Sequence, residues 1–207
     1  MTLPVTVDLD DTRLAPEVAE QFRISFGLEE TPATLTEWVE AASELLQSGF
    51  QKSFDPRSDP NSFHHEVHVG EESFYCKGLF EALILPFIHE AGTGFLIRSQ
   101  SPSTETIIKV SVTRDSFSIN PDTAVTSFGV ARDVVAPEYF DVPPDIAYHR
   151  FNQYTNTFPD EQTYQFWADQ TENAVTMSLS IAEALVLARS MTESWDELHG
   201  VRVSNGE

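Results

Sequence analysis

Residues 95–119 read FLIRSQSPSTETIIKVSVTRDSFSI, and apolar and polar side chains alternate along much of this stretch. A period of two places every second side chain on one face of the chain, which is the pattern of a half-buried β-strand. Polar interruptions divide the stretch into strands at 95–98, 106–112 and 116–119, with a tight turn at Arg114-Asp115. The stretch therefore predicts a sheet at the centre of the fold.

Strand patterns continue on both sides of this stretch. Upstream, His65 to Val69 reads as a short strand that turns at Gly70 into a second strand or a helix entry through residues 74–76. Downstream, Asn120-Pro121-Asp122 reads as a turn, and further strands are predicted at 125–130, 146–158 and 174–179.

Helices are predicted where capping signals meet apolar residues at helical spacing. Two lie near the N-terminus: one from Leu14 to Phe26, capped by Asp11 or Thr12 and ended by Gly27, and one opened by Thr34 and Glu37 and ended before Gly49. Three more are predicted at 79–90, at 159–167, and from Ile181 to about Leu198 behind a Ser180/Glu183 capping box.

The order of these elements predicts an α+β fold, with N-terminal helices, a mixed and mostly antiparallel sheet core, and flanking helices. Residues 52–62 are polar and rich in turn formers, which is typical of a linker. The predicted organisation is a helical segment at 1–51, a linker at 52–63 and an α+β domain at 64–207. Two amphipathic helices cannot close a core alone, so we expect residues 1–51 to pack on later elements.

The chain is strongly acidic. Its 207 residues carry 33 Asp and Glu against 12 Lys and Arg, which gives a formal net charge of -21. The acidic residues are spread along the sequence, and such a coat favours solubility in molar salt, where the Debye length falls to about 3 Å. We therefore predict a halophilic protein. Direct binding to the nucleic acid backbone or to an anionic membrane is disfavoured, because both require a basic surface.

Several sequence features that would indicate a membrane location, secretion or a particular cofactor are absent. No apolar run reaches the roughly 18 residues of a membrane span, and residues 1–8 lack the basic and apolar parts of a signal peptide. We therefore expect a cytoplasmic protein. The sequence also lacks a glycine-rich phosphate loop, a serine nucleophile elbow and a paired-histidine zinc motif.

The densest set of potential metal ligands is HHEVH at 64–68. On a strand, His64, Glu66 and His68 share one face and supply the residue types of a two-histidine, one-carboxylate metal site. The alternative is a solvated outer face behind which Val67 and Val69 pack inward. Both interpretations stay open at this point.

Three further residues are candidates for catalysis. Cys76 is the only cysteine and precedes Lys77 at a helix start, a setting that lowers a thiol pKa, although buried structural cysteines are common. Glu81 lies in an apolar helix and is either on an exposed stripe or an acid with a raised pKa. His149 lies in a predicted strand among aromatic residues, where the alternative is a hydrogen-bonded core histidine.

Residues 74–86, FYCKGLFEALILP, resemble the Tyr-x-Trp-Cys-Ala-Leu-Asp-Thr-Leu-Leu-Phe-Pro helix of the organomercurial (alkylmercury) lyase family. The similarity continues through 98–101 and 107–112, and through 151–159, the Phe166-Trp167 helix and 174–184, so that it covers about residues 66–198. The resemblance implies that family's fold and its chemistry, in which thiolates take the soft metal and a carboxylic acid gives a proton to the departing carbon.

The positions that correspond to the family's site residues carry different residue types in this sequence. Anchored on Leu85-Pro86, the family's helix cysteine falls on Gly78, with Cys76 two residues upstream, and its aspartate falls on Glu81. Anchored on Pro159, its second cysteine falls near His149. The resemblance thus implies a remodelled ligand or metal pocket, with Cys76 as thiolate ligand or nucleophile, Glu81 as acid and His149 as second ligand or base. The alternative is a non-catalytic binding or interaction protein that keeps only the scaffold.

Overall fold

The computed structural model describes residues 7–54, 64–89, 94–113, 116–132 and 142–199, without the side chains at 194 and 196–199. Along the chain these residues form α1 (Pro16–Phe26), α2 (Leu35–Ser53), β1 (His65–Val69), β2 (Glu72–Cys76), α3 (Leu79–Ile88), β3 (Phe95–Gln100), β4 (Ile107–Val112), β5 (Phe117–Asn120), β6 (Val125–Ala131), α4 (Pro144–Asn152), β7 (Thr157–Phe158), α5 (Glu161–Gln170), β8 (Ala174–Ser180) and α6 (Ile181–His199). The predicted α+β class is confirmed.

The strands form two antiparallel sheets. The larger has the order β2-β1-β3-β4-β5, and the smaller has the order β7-β6-β8. In β4 the burial alternates strictly, with Ile108, Val110 and Val112 facing inward. The alternation predicted for the strand at 106–112 is therefore confirmed. Where we expected one mixed sheet, the described strands pair only in antiparallel fashion and divide between two sheets.

The N-terminal helices pack on later elements, as expected. Helix α2 lies against α4 and α6, and α1 lies against β6. An aromatic cluster joins these layers: the Trp38 ring of α2 lies 4.9 Å from the Phe128 ring of β6 and 5.4 Å from the Phe151 ring of α4. These rings are fully buried, and buried aromatic pairs of this kind contribute large apolar areas to a core.

Local signals fixed most helix ends. The Thr34 side chain accepts a hydrogen bond from the Glu37 backbone N–H at the start of α2, Asp160 caps α5, and Ser180 and Glu183 cap α6 reciprocally. Gly27 ends α1 with a φ of 67°, in the left-handed region that glycine adopts without steric cost.

Other helix boundaries differ from the prediction. Helix α1 begins at Pro16, and neither Asp11 nor Thr12 caps it, because Ala15 occupies the N-cap position. Helix α2 runs past Gly49 to Ser53, so the first two residues of the predicted linker are helical, and residues 55–63 of that linker lie outside the described part of the chain. At Gly49 a Cβ atom would overlap Tyr148 and the Pro144 carbonyl, so glycine permits the close contact between α2 and α4.

The strand predicted at 146–158 is wrong. Residues 144–152 form α4, and only Thr157–Phe158 pairs with β6 as a strand. The buried residues of α4 are Ala147, Tyr148, Phe151 and Asn152, which is a helical spacing. Pro144 in the first turn and Asp145 beside it both favour a helix start.

Two smaller points complete the fold. The turn predicted at 114–115 and the helix end predicted at residues 90–92 lie outside the described part of the chain. Within the described part, no helix is long and apolar enough to cross a membrane.

Candidate functional site

The N-terminus of α3 forms the centre of the candidate site. Strand β2 ends at Cys76, and α3 begins three residues later at Leu79. Glu81 stands in the first turn of the helix and folds back, so that its Oε2 accepts hydrogen bonds from the backbone N–H groups of Lys77 at 2.7 Å and Gly78 at 3.4 Å. The carboxyl group thereby satisfies donors that the start of a helix leaves free.

Helix α4 supplies the partners of the other carboxyl oxygen. The Tyr148 hydroxyl donates to Glu81 Oε1 at 3.1 Å, and the Asn152 side-chain amide donates to the same oxygen at 2.8 Å. Each Glu81 oxygen therefore has two donors, and the residue is only 3% exposed. A carboxyl group held in this way is fully satisfied inside the protein.

Burial raises the pKa of Glu81, and the hydrogen bonds from the Lys77 and Gly78 backbone and from Tyr148 partly oppose that rise. Burial also raises the pKa of Tyr148, with a further contribution from the negative charge of Glu81. The phenol therefore keeps its proton and remains a hydrogen-bond donor. The Glu81 carboxyl group binds a proton more readily than an exposed glutamate does.

Cys76 is fully buried next to this carboxyl group. Burial raises the pKa of the thiol well above its usual range, and the charge of Glu81 raises it further. The sequence setting suggested a lowered thiol pKa beside Lys77, but Lys77 is exposed while Cys76 points inward. Cys76 is thus a protonated, enclosed thiol, which corresponds to the structural alternative stated above.

Gly78, the N-cap residue of α3, packs closely against Asn152 of α4. A Cβ atom added to Gly78 would overlap the side-chain amide of Asn152 and would also meet the Asn152 backbone carbonyl. The Asn152 Oδ1 atom that would be struck is buried and has no hydrogen-bond partner in the described part of the chain. No side chain larger than hydrogen fits at position 78 unless α4 or the Asn152 side chain moves.

His149 does not take part in this cluster. It follows Tyr148 in α4, and consecutive helical residues point about 100° apart, so Tyr148 is buried while His149 is exposed. The predicted triad of Cys76, Glu81 and His149 is therefore only partly assembled, because the structure brings Cys76 and Glu81 together and leaves His149 on the surface.

The HHEVH segment forms the start of β1. Glu66 Oε2 lies 3.1 Å from His68 Nε2 and 3.3 Å from Arg98 Nη1, while His64 precedes the strand and is exposed. Among the residues that the structure describes, no group of three or more His, Cys, Asp or Glu side chains could hold a metal ion. The site predicted from His64, Glu66 and His68 does not assemble there, and Arg98 takes the place that a cation would occupy beside Glu66.

The histidine of this segment that faces the interior is His65, which the sequence analysis did not single out. Its Nδ1 lies 2.6 Å from the Ser99 hydroxyl oxygen, which in turn lies 2.6 Å from the Thr157 hydroxyl oxygen, so the three side chains link the two sheets. Burial lowers the pKa of His65 to about 3. The sequence contains a signal for the inward orientation of His65, because the alternation of a strand places it on the same face as Val67 and Val69.

Tyr148 and Asn152 were also missed. Both lie in the segment that was predicted as a strand, and both reach Glu81 from more than sixty residues away in sequence. Helical spacing at 147, 148, 151 and 152 was the one local signal that could have placed them on a common buried face.

The fold and this cluster define a class of protein: an α+β scaffold with a carboxyl group held at a helix start beside a buried thiol. Residues 60–193 match the family profile described as alkylmercury lyase, which is more than half of the chain, and the chain belongs to that family. Among solved structures it is similar to the crystal structure of the mercury-bound form of MerB2, with a TM-score of 0.51 and 14% sequence identity over 87% of this chain and 92% of that chain. That likeness shows the shared fold. No curated protein matches the sequence.

Proposed function

We propose that this chain is a non-catalytic binding or interaction protein that keeps the alkylmercury lyase scaffold and does not cleave carbon–mercury bonds. The observation that carries the proposal is the packing of Asn152 against Gly78, the position on which the family's helix cysteine falls. A thiol cannot be presented at this position, and the space that a substrate would need there is occupied by protein.

The remaining groups support the same conclusion. Mercury is a soft metal that thiolates bind most strongly, and this chain has one cysteine. That thiol is protonated and enclosed, and both oxygens of Glu81 are engaged with protein donors. His149, the proposed second ligand, is exposed on α4. The carboxyl group therefore serves to join α3 to α4.

One observation favours a second candidate, a stoichiometric one-thiol reaction. Cys76 and Glu81 are close enough for the carboxylate charge to raise the thiol pKa. In such a reaction the thiol would exchange its proton for the organomercury cation, and a protonated Glu81 would then give its proton to the departing carbon as the carbon–mercury bond breaks. This one-thiol reaction would require α4 to move away from α3.

Benzene release from phenylmercuric acetate tests the proposal. A molar excess of the reagent is mixed with folded protein in molar KCl, and benzene in the headspace is measured by gas chromatography beside the Cys76→Ser and Glu81→Gln variants. We expect release from the wild type to equal that of the protein-free blank. Benzene formation that both substitutions abolish would overturn the proposal, and a yield limited to one equivalent would support the one-thiol candidate.

A further inference from the structure

An open groove lies away from the Cys76 and Glu81 cluster, on the N-terminal helical face. It has a volume of about 600 Å³ and is bordered by the end of α1, the outer face of α2 and the residues that begin α4. Phe26, Leu28, Leu45 and Val142 supply its apolar surface. The volume falls within the range of sites that hold small organic ligands, for which apolar walls are typical.

The polar side chains of this groove are mostly carboxylates. Glu29 and Glu30 follow the end of α1, and Glu44 projects from α2, and all three are exposed. None of the described residues that line the groove is basic. The ion pairs found in the described part of the chain involve other glutamates, namely Glu20, Glu66, Glu72 and Glu193.

A groove with apolar walls and carboxylate side chains favours one kind of ligand. A ligand with only an apolar body would leave three carboxylates without a cationic partner beside a surface that it had dehydrated, which is unfavourable. A ligand with an anionic group would add repulsion. A positive charge attached to an apolar body would pair with the carboxylates while the body covers the apolar surface.

We infer that this groove binds a small amphipathic organic cation, with its apolar part on Phe26, Leu28 and Leu45 and its charge among Glu29, Glu30 and Glu44. In molar salt long-range attraction is screened, so selectivity must come from direct contact between the cation and the carboxylates. The inference does not depend on the absence of lyase activity, because the groove shares no residue with the Cys76 and Glu81 cluster.

Three probes with the same apolar body test this inference: (4-phenylbutyl)trimethylammonium, 4-phenylbutanol and 4-phenylbutanoate. Binding to the full chain is measured by calorimetric titration in molar KCl, and the contact residues are mapped by amide chemical-shift changes. We expect the cation to bind about tenfold more tightly than the alcohol, which corresponds to one well-formed contact, and the carboxylate to bind most weakly. Shifts are expected at residues 26–30 and 41–48.

Three variants decide whether the groove is responsible for binding the probes. Replacing Glu29, Glu30 and Glu44 together by Gln should reduce the affinity for the cation to that for the alcohol, whereas replacing Glu17, Glu71 and Glu172, which are exposed elsewhere, should not. Ala41→Phe, at an exposed position of the groove, should weaken binding of all three probes by filling the space. Equal affinity for the three probes, no binding of the cation, or the same loss in both triple variants would overturn the inference.

Discussion

The side-chain amide of Asn152 lies where any side chain at position 78 would have to be. The same amide donates a hydrogen bond to Glu81 at 2.8 Å, so one residue of α4 both fills the space beside β2 and engages the carboxyl group of α3. The resemblance to the alkylmercury lyase family predicts that the helix cysteine of that family corresponds to position 78, and a cysteine side chain at this position would overlap Asn152. The glycine is required by the packing of α4.

The first prediction concerns the pH dependence of Glu81. Its pKa is raised in the folded state above the ordinary value of 4.5, so the folded protein binds this proton more tightly than the unfolded chain does. The stability that this group contributes is fully present below that ordinary value and is lost as the pH rises through the folded-state pKa.

The measurement is the free energy of unfolding by urea as a function of pH, for the wild type and Glu81→Gln. The free energy of unfolding of the wild type should fall relative to that of Glu81→Gln as the pH rises above 4.5. Glu71→Gln, at an exposed turn residue, serves as the control and should run parallel to the wild type. If the free energy of unfolding of the wild type instead rises relative to that of Glu81→Gln with increasing pH, the direction of the Glu81 pKa shift is contradicted.

The second prediction concerns acid stability and His65. Its pKa falls from 6.5 to about 3 on burial, so its contribution to stability is complete above pH 6.5 and is lost as the pH falls toward 3. Each pH unit in that window costs about 1.4 kcal/mol. His65→Gln should flatten this part of the stability profile, measured by denaturant unfolding, while His64→Gln, which removes only the smaller electrostatic contribution to the His65 pKa, should change it much less. Equal slopes in the wild type and His65→Gln would show that His65 is not the group responsible.

The third prediction concerns the accessibility of the thiol. Cys76 is fully buried and its pKa is raised, so it should react with a thiol reagent only when the protein opens. The rate of labelling by a maleimide in native buffer should rise with urea in parallel with the unfolded fraction. Labelling in native buffer as fast as in the unfolded chain would mean that Cys76 is open to solvent. Labelling the unfolded protein supplies the reference rate.

The fourth prediction tests the halophilic character inferred from composition. A net charge of -21 on 207 residues destabilises the compact state through self-repulsion, and salt screens that repulsion. The thermal unfolding midpoint should therefore rise steadily between dilute and molar KCl. NaCl at the same concentrations is the control and should raise the midpoint to a similar extent, because screening depends on ionic strength. A midpoint that stays constant or falls with KCl would remove the reason for calling the chain salt-adapted.

Local sequence patterns predicted most of this fold. Thr34, Asp160 and Ser180 each begin a helix at the expected place because a cap depends on residues three or four positions away. Strands β1 to β6 followed from alternation and intervening turns. The one large error was α4, where the aromatic residues at 148, 151 and 154 are spaced as in a helix, and where Pro144 marks the helix start.

The candidate site was only half predictable for a physical reason. Cys76 and Glu81 are neighbours through the local geometry of the β2–α3 connection, which the sequence places together. Tyr148 and Asn152 reach them through packing of α4 against α2 and α3, and no local pattern encodes that contact. His149 was placed by counting back from Pro159, and the helix turned its side chain to the surface.

Asn152 packs against Gly78, and a double-mutant cycle in urea unfolding measures the energy of this contact. Gly78→Ala should destabilise the wild type by about 1–3 kcal/mol through overpacking. In the Asn152→Ala background the same substitution should cost about 1 kcal/mol less, because the overlapping amide is gone while the Asn152 carbonyl remains. A cost of Gly78→Ala that is the same in both backgrounds would contradict the claim that Asn152 closes this site.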